Sequence, residues 1–196
     1  MKSRKREFPL LSTENGQVEW AAGLFFLLFM GILLCALLQL DVYRSSSQYL
    51  EDALALSNLA SAVVDVEEYG ISHRLVITDP HKAYERYRSA VNENLNLNDQ
   101  WECQGNGVIT GPVTIVNYTV YSVSGNDVEV SRFDEKGLMT QWREQLGSAA
   151  APNGIKIETT GVYSEITYQL EGFLGTVVEA RKGKLADIMA NDALTY

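Results

Sequence analysis

The chain has 196 residues, enough for one domain of ordinary size with a tail. Its 16 basic and 25 acidic residues leave a net charge of -9, which argues against nucleic acid as the main partner because a phosphate-binding surface needs a positive field. Apolar residues make up 46% of the chain, too many for a disordered tail. Two cysteines, Cys35 and Cys103, are too few for a disulfide framework or a four-ligand zinc site.

The first element is an apolar run from Trp20 to Leu40, 21 residues without a charge. A helix of that length spans roughly 30 Å, the thickness of a bilayer's hydrocarbon core. A cleaved secretory signal expects a shorter run and a small-x-small site, whereas this one ends in Gln39-Leu40-Asp41-Val42-Tyr43. Cys35 follows Ile32-Leu33-Leu34, without the small residue a lipoprotein signal places there, and reads as helix filler. The segment therefore reads as a retained single-pass anchor.

Lys2, Arg4, Lys5 and Arg6 precede the span, and the positive-inside rule puts that end in the cytoplasm. Residues 41–196 hold 12 basic and 22 acidic residues and would lie outside. The expected organisation is a basic cytoplasmic leader over 1–19, a transmembrane helix over 20–40, a helical extension over 41–70, and an α+β head over 71–196.

In the extension, Tyr49, Ala53, Leu56, Ala60 and Val63 recur at helical spacing, widened by Leu50, Leu54 and Leu59. This stripe either packs against sister helices or covers the chain's own sheet. Gly70 suits the helix end. A second helix is expected over 80–95, with Asp79 as N-cap, Pro80 at the first helical position, and Ala83, Tyr87, Ala90 and Val91 on one face. Residues 96–100 read as loop.

Beyond Glu102 the pattern turns to strands. Val113–Val123 is rich in Val, Thr and Tyr, and Ser124-Gly125-Asn126-Asp127 is a turn before a strand over Val128–Phe133. Asp134-Glu135-Lys136 reads as the start of a short helix carrying Leu138, Trp142 and Leu146, closed by Gly147. Ser148–Gly154 is a loop. Val162, Ile166, Tyr168 and Leu170 then sit at even spacing. Strands over Phe173–Ala180 and Lys184–Met189 flank Arg181-Lys182-Gly183, read as a hairpin turn. The fold class is α+β, with a long N-terminal helix packed on an antiparallel sheet of four to six strands.

Motifs for catalysis are missing: HExxH, GxSxG, a phosphate-binding loop, GxGxxG after a strand and CxxC are all absent. The chain reads as a non-enzyme without cofactor, metal or small-molecule substrate. His73, Asp79 and His81 lie close in sequence but lack a fourth ligand and read as surface polar residues. Asn117-Tyr118-Thr119 matches a glycosylation sequon. Cys103 reads as a free or buried thiol.

Glu19 stands at the head of the apolar run, in Asn15-Gly16-Gln17-Val18-Glu19-Trp20. By position alone it marks the end of the span, where an acid also gains from the helix dipole. A basic leader, a glycine, a glutamate heading an apolar helix, an amphipathic continuation and a late sheet together resemble type IV pilins. The closer resemblance is to the TadE-like minor pilins, or pseudopilins, of tight-adherence systems, over about residues 14–40. In that family a Gly-Gln-x-x-Val-Glu-Phe-like junction precedes the helix, and Gly16-Gln17-Val18-Glu19-Trp20 looks like a shortened version.

The resemblance implies a pilin-like fold, a leader junction at Gly16 and Gln17, and subunit pairing through Glu19. It also implies other pilin-like subunits and an inner-membrane platform as partners, beside the lipid bilayer. One departure stands out: Glu19 is third after Gly16, where the family's glutamate is fifth after the cut. The competing expectation is a single-pass protein whose outer domain binds a ligand or senses the envelope, with no filament.

Overall fold

The computed structural model describes residues 14–104, 109–172 and 175–188. The expected leader lies outside these up to residue 13, as do the outer ends, Phe173 and Met189, of the last two expected strands. The elements in chain order are helices α1 (Glu14–Ser61), α2 (Val66–Ser72) and α3 (Pro80–Asn94), then strands β1 (Ile109–Ser124), β2 (Asp127–Asp134), β3 (Met139–Gln145), β4 (Gly161–Glu171) and β5 (Val177–Asp187). The chain divides into two compact units, residues 1–42 and 43–196.

The described part of the first unit is the N-terminal portion of α1. From Val18 it is long and apolar enough to cross a membrane, and none of its most apolar window is buried. The remaining residues of α1, from Tyr43 to Ser61, belong to the second unit.

The second unit is an α+β domain on a five-stranded antiparallel sheet of order β3-β2-β1-β4-β5. The central position falls to β1, whose Val-, Thr- and Tyr-rich sequence suits a strand covered on both faces. Ser124 pairs with Asp127 across Gly125-Asn126. Gly125 takes φ 64, the left-handed value that a tight hairpin asks of its first central residue.

One face of the sheet receives the helices: Leu50 and Leu54 of α1 and Tyr87 and Val91 of α3 join Tyr118, Val120, Phe133, Val162 and Ile166 in one core. Tyr84 stacks on Phe133 at 4.5 Å, and Tyr87 lies 4.6 Å from Tyr118. On the other face a smaller core of Tyr121, Val128, Val130, Tyr163 and Leu185 is covered by Ala149, Ala151 and Ile157, so the loop before β4 works as a lid over the sheet.

The expected start of α3 holds: the Asp79 side chain accepts from the Lys82 N–H and Pro80 is the first helical residue. Three other expectations are corrected. The helix begun in the apolar run does not continue to Gly70. It ends at Ser61, where the Ser61 hydroxyl donates back to the Asn58 carbonyl and accepts from Tyr118 Oη. Asp65 then caps a new helix, accepting from the N–H groups of Glu67 and Glu68, while its own N–H donates to the Val76 carbonyl. Gly70 lies inside α2, and His73 at φ 55 closes it.

The expected helix over Leu138, Trp142 and Leu146 is strand β3. Asp134 Oδ1 does accept from following N–H groups, as an N-cap would, but those of Lys136 and Leu138 in a turn that Gly137 closes at φ 74. Leu138 is exposed, so its spacing with Trp142 marks no buried face.

Arg181-Lys182-Gly183 is no turn either: β5 runs straight through it, paired with β4 from Glu171↔Val177 to Gly161↔Asp187. Gly183 is there for close approach, since a Cβ would lie 2.9 Å from Tyr163 Cζ.

The stripe on the α1 extension divides. The residues seated on the sheet are Ser46, Leu50, Ala53, Leu54, Ser57, Asn58 and Ser61, a face with four polar members. Each bond is local or crosses to another element: Ser57 Oγ donates to the Ala53 carbonyl and accepts from Asn94 Nδ2, and Asn58 Nδ2 donates to the Lys184 carbonyl. Leu56, Leu59 and Val63 remain exposed on a different side.

Candidate functional site

Gly16, Gln17 and Glu19 all fall within the continuous helix α1. Glu19 is exposed, and Gly23, one turn on, leaves a notch beside it that Trp20, Leu24 and Leu27 border. A carboxylate beside a glycine notch on an otherwise apolar surface is a place where another helix can approach closely.

The second unit carries a cleft of about 530 Å³ that the sequence reading did not single out. It lies between α3, the loop after it, the start of β1 and the β2–β3 turn. His81, Tyr84, Glu85 and Arg88 form the α3 wall, Trp101 the loop wall, and Glu135, Lys136 and Gly137 the turn.

Local bonding explains each wall. Asn98 Oδ1 accepts from the N–H groups of Gln100 and Glu102, both at 2.9 Å, and its carbonyl accepts from the Trp101 N–H. These bonds hold Trp101 at φ 62, and the Trp101 carbonyl accepts from the Val113 N–H at the start of β1. The Arg88 guanidinium lies 5.4 Å from the centre of the indole ring, a cation–π contact. On the opposite wall, a Cβ on Gly137 would sit 3.6 Å from the Tyr84 ring. Burial raises the Tyr84 phenol above its ordinary pKa, so it stays a neutral hydrogen-bonding group at physiological pH.

The lining carries two acids, Glu85 and Glu135, against Arg88 and Lys136, and no serine or cysteine. Such a set can bind and orient a polar ligand.

The remaining sequence candidates have structural partners. His73 packs edge-on against Tyr69, and His81 edge-on against Phe133. Among the described residues no group of three His, Cys, Asp or Glu side chains could hold a metal ion. Asn117 is buried and its Oδ1 accepts from Thr119 Oγ1, which makes the sequon inaccessible in the folded protein. Cys103 is half-buried, and its thiol donates to the Leu95 carbonyl.

Compared with models of protein families, with curated proteins and with solved structures, the chain gives no match.

Proposed function

We propose that this protein is a membrane-anchored, pilin-like structural subunit of the TadE-like kind, a minor pilin or pseudopilin in the assembly of a surface pilus or secretion pseudopilus. The observation that carries the reading is α1 itself. One helix of 48 residues holds an uncharged stretch of membrane length and, further along, the face that seats on an antiparallel sheet. In this reading the N-terminus is cytoplasmic and the α+β domain extracytoplasmic. The exposed side of α1 packs on other subunits, Glu19 pairs with a neighbouring subunit or the inner-membrane platform, and the chain performs no catalysis.

Counting filaments in cells that carry Glu19→Ala tests it, with membrane fractionation as the control. The expected result is loss of assembly with normal membrane insertion, and normal filament number removes Glu19 from the mechanism. The N-terminal residue of protein taken from its own membranes is the companion measurement. A start at Asn15 or Gln17 means pilin-type maturation, and a start at Met1 or Lys2 means a permanent anchor.

The cleft beneath Trp101 favours a second reading, a tethered domain that binds an envelope component without any filament. That reading requires a ligand-dependent rise in the melting temperature of the membrane-embedded chain, and the absence of one with every envelope component tried counts against it.

A further inference from the structure

We propose that the sheet edge at β3 is a self-association surface, on which a second copy of this chain seats its own β3, antiparallel, about a two-fold axis at Trp142. The surface lies wholly within the second unit and asks nothing of the apolar helix.

The first observation is an open backbone edge. β3 is the outermost strand beside β2, and the two pair without a shift from Asp127↔Gln145 to Phe133↔Met139. Just beyond its ends, the Leu138 carbonyl accepts from the Asp134 N–H and the Leu146 N–H donates to the Asn126 carbonyl. Backbone groups of an antiparallel strand alternate in direction, so Thr140, Trp142 and Glu144 bond to β2, while Met139, Gln141, Arg143 and Gln145 turn theirs outward. Of that outward set only the Gln145 carbonyl finds a partner among the described residues, in Ser148 and Ala149. Sheet edges are commonly guarded by proline, lysine or a bulge, and β3 has none of these. The opposite edge, β5, carries Lys182 and Lys184 and is clasped to Glu51 of α1.

The second observation is an apolar row that stops at this edge. Tyr121, Val130 and Trp142 stand directly opposite one another on β1, β2 and β3, and side chains so paired share a face. Tyr121 and Val130 are buried in the smaller core, whereas Trp142 is 38% exposed. Its indole N–H is spent on Glu144 Oε1 at 2.6 Å, which leaves an apolar ring at the rim.

The occupant follows from the register. Outward groups bond only to outward groups, so odd-numbered residues must face odd-numbered residues of the incoming strand. Centred on Trp142, β3 facing itself sets Gln141 against Arg143, Met139 against Gln145 and Thr140 against Glu144, which engages every outward residue. No like charges meet, and the two indoles fall at a closely spaced pair that exchanges no hydrogen bonds. Centring on Arg143 would oppose two guanidinium groups, and centring on Gln141 carries Gln145 past the end of the partner strand. The strand is thus its own complement.

The test uses the full chain with Cys35→Ala and Cys103→Ser in detergent micelles, oxidised with copper phenanthroline and read as covalent dimer on a denaturing gel. Thr140→Cys and Glu144→Cys are introduced singly and together. In this register residue 140 faces residue 144 of the other copy. It is about 14 Å from its own counterpart and from residue 144 of its own chain, beyond the reach of a disulfide.

The expected result is severalfold more dimer from the double variant than from either single one. Adding Gln141→Pro, which removes an outward N–H, should abolish that dimer while thermal unfolding stays cooperative. Single variants that crosslink as well as the double one overturn the register, and crosslinking that survives Gln141→Pro overturns the backbone pairing. Absence of dimer overturns the proposal outright, and protection of both cysteines from a maleimide in cell membranes would then assign the edge to a different protein. The comparison of single with double variants decides the matter even where the proline variant fails to fold.

Discussion

Glu51 of α1 and Lys184 of β5, 133 residues apart in the chain, meet at 2.7 Å, and Lys182 reaches the other carboxylate oxygen of the same side chain at 2.9 Å. Lys182 also donates to Ser47 Oγ one turn earlier, so two alternate residues of an edge strand grip two turns of the helix. The hydrogen bonds from Lys184 and then Lys182, with the charges of both, lower the Glu51 pKa from 4.5 to about 2.

A carboxylate with a depressed folded pKa stabilises the native state above its unfolded value, and that contribution is lost as the pH falls through the folded one. The window here runs from 4.5 down to about 2. The side chain is 38% exposed, so solvent screens the pair and its worth is about 1 kcal/mol. Glu51→Gln should lower the melting temperature at neutral pH. The difference from the parent should shrink steadily below pH 4.5 and be smaller in high salt. Thermal unfolding across a pH series measures it, and a constant difference at every pH would show that the ionised form is not what matters.

Gly183→Ala should destabilise the second unit by about 1–3 kcal/mol, because the new methyl group meets the Tyr163 ring in a covered part of the sheet. Trimming the opposing side chain with Tyr163→Phe in the same molecule should recover part of that loss. A double-mutant cycle in denaturant gives the coupling, and additive effects would mean that the two residues do not compete for the space.

Tyr118 is fully buried and donates to Ser61 Oγ at 2.9 Å, the bond that fixes the C-terminal turn of α1 on the central strand. Burial holds the phenol well above its ordinary range, so the proton stays on through any mild alkaline treatment. Tyr118→Phe should cost about 1 kcal/mol, and the amide protons near Ser61 should exchange faster while those of β2 do not. Uniform exchange would assign the loss to packing instead of to the helix end.

Leu56 and Leu59 are 58% and 54% exposed. Leu56→Glu and Leu59→Glu should leave the unfolding free energy of the isolated protein within about 0.5 kcal/mol of the parent. In the pilin-like reading the same changes abolish lateral association, read by crosslinking in membranes. A large fall in stability would instead place these leucines in the chain's own core.

The start of α3 was legible because Asp79 and Pro80 act through their own local geometry: the carboxylate reaches an N–H three residues on, and the ring sets the helical φ. The alternation in β4 was legible for the same reason. What misled was chemistry that two structures share. Asp134 offers its oxygen to following amides in a turn as readily as at a helix start, and before Met139 only Gly137 points to the turn. Gly183 looks like a turn residue until Tyr163, twenty positions earlier, is seen to need its space.

The buried side of α1 was hidden for a further reason. Ser57, Asn58 and Ser61 bond to Ala53, Asn94, Lys184 and Tyr118 among others, mostly distant in sequence, so an apolar stripe found Leu50, Ala53 and Leu54 on the buried side but not the polar members beside them. The cleft escaped because Arg88 and Trp101 are thirteen residues apart and brought together by an Asn98 turn that reads as ordinary loop.

The grip of β5 on α1 also sets the order in which the protein can be completed during synthesis. Leu50 and Leu54 emerge early, yet the core that covers them draws on Val162, Ile166 and Leu170, and the clasp at Glu51 waits for Lys182 and Lys184. Until Lys184 has left the ribosome, the later part of the first helix, from Tyr43 to Ser61, has no finished surface to rest on. Its apolar side is open to transient contacts in the meantime, the stage of synthesis at which aggregation threatens most.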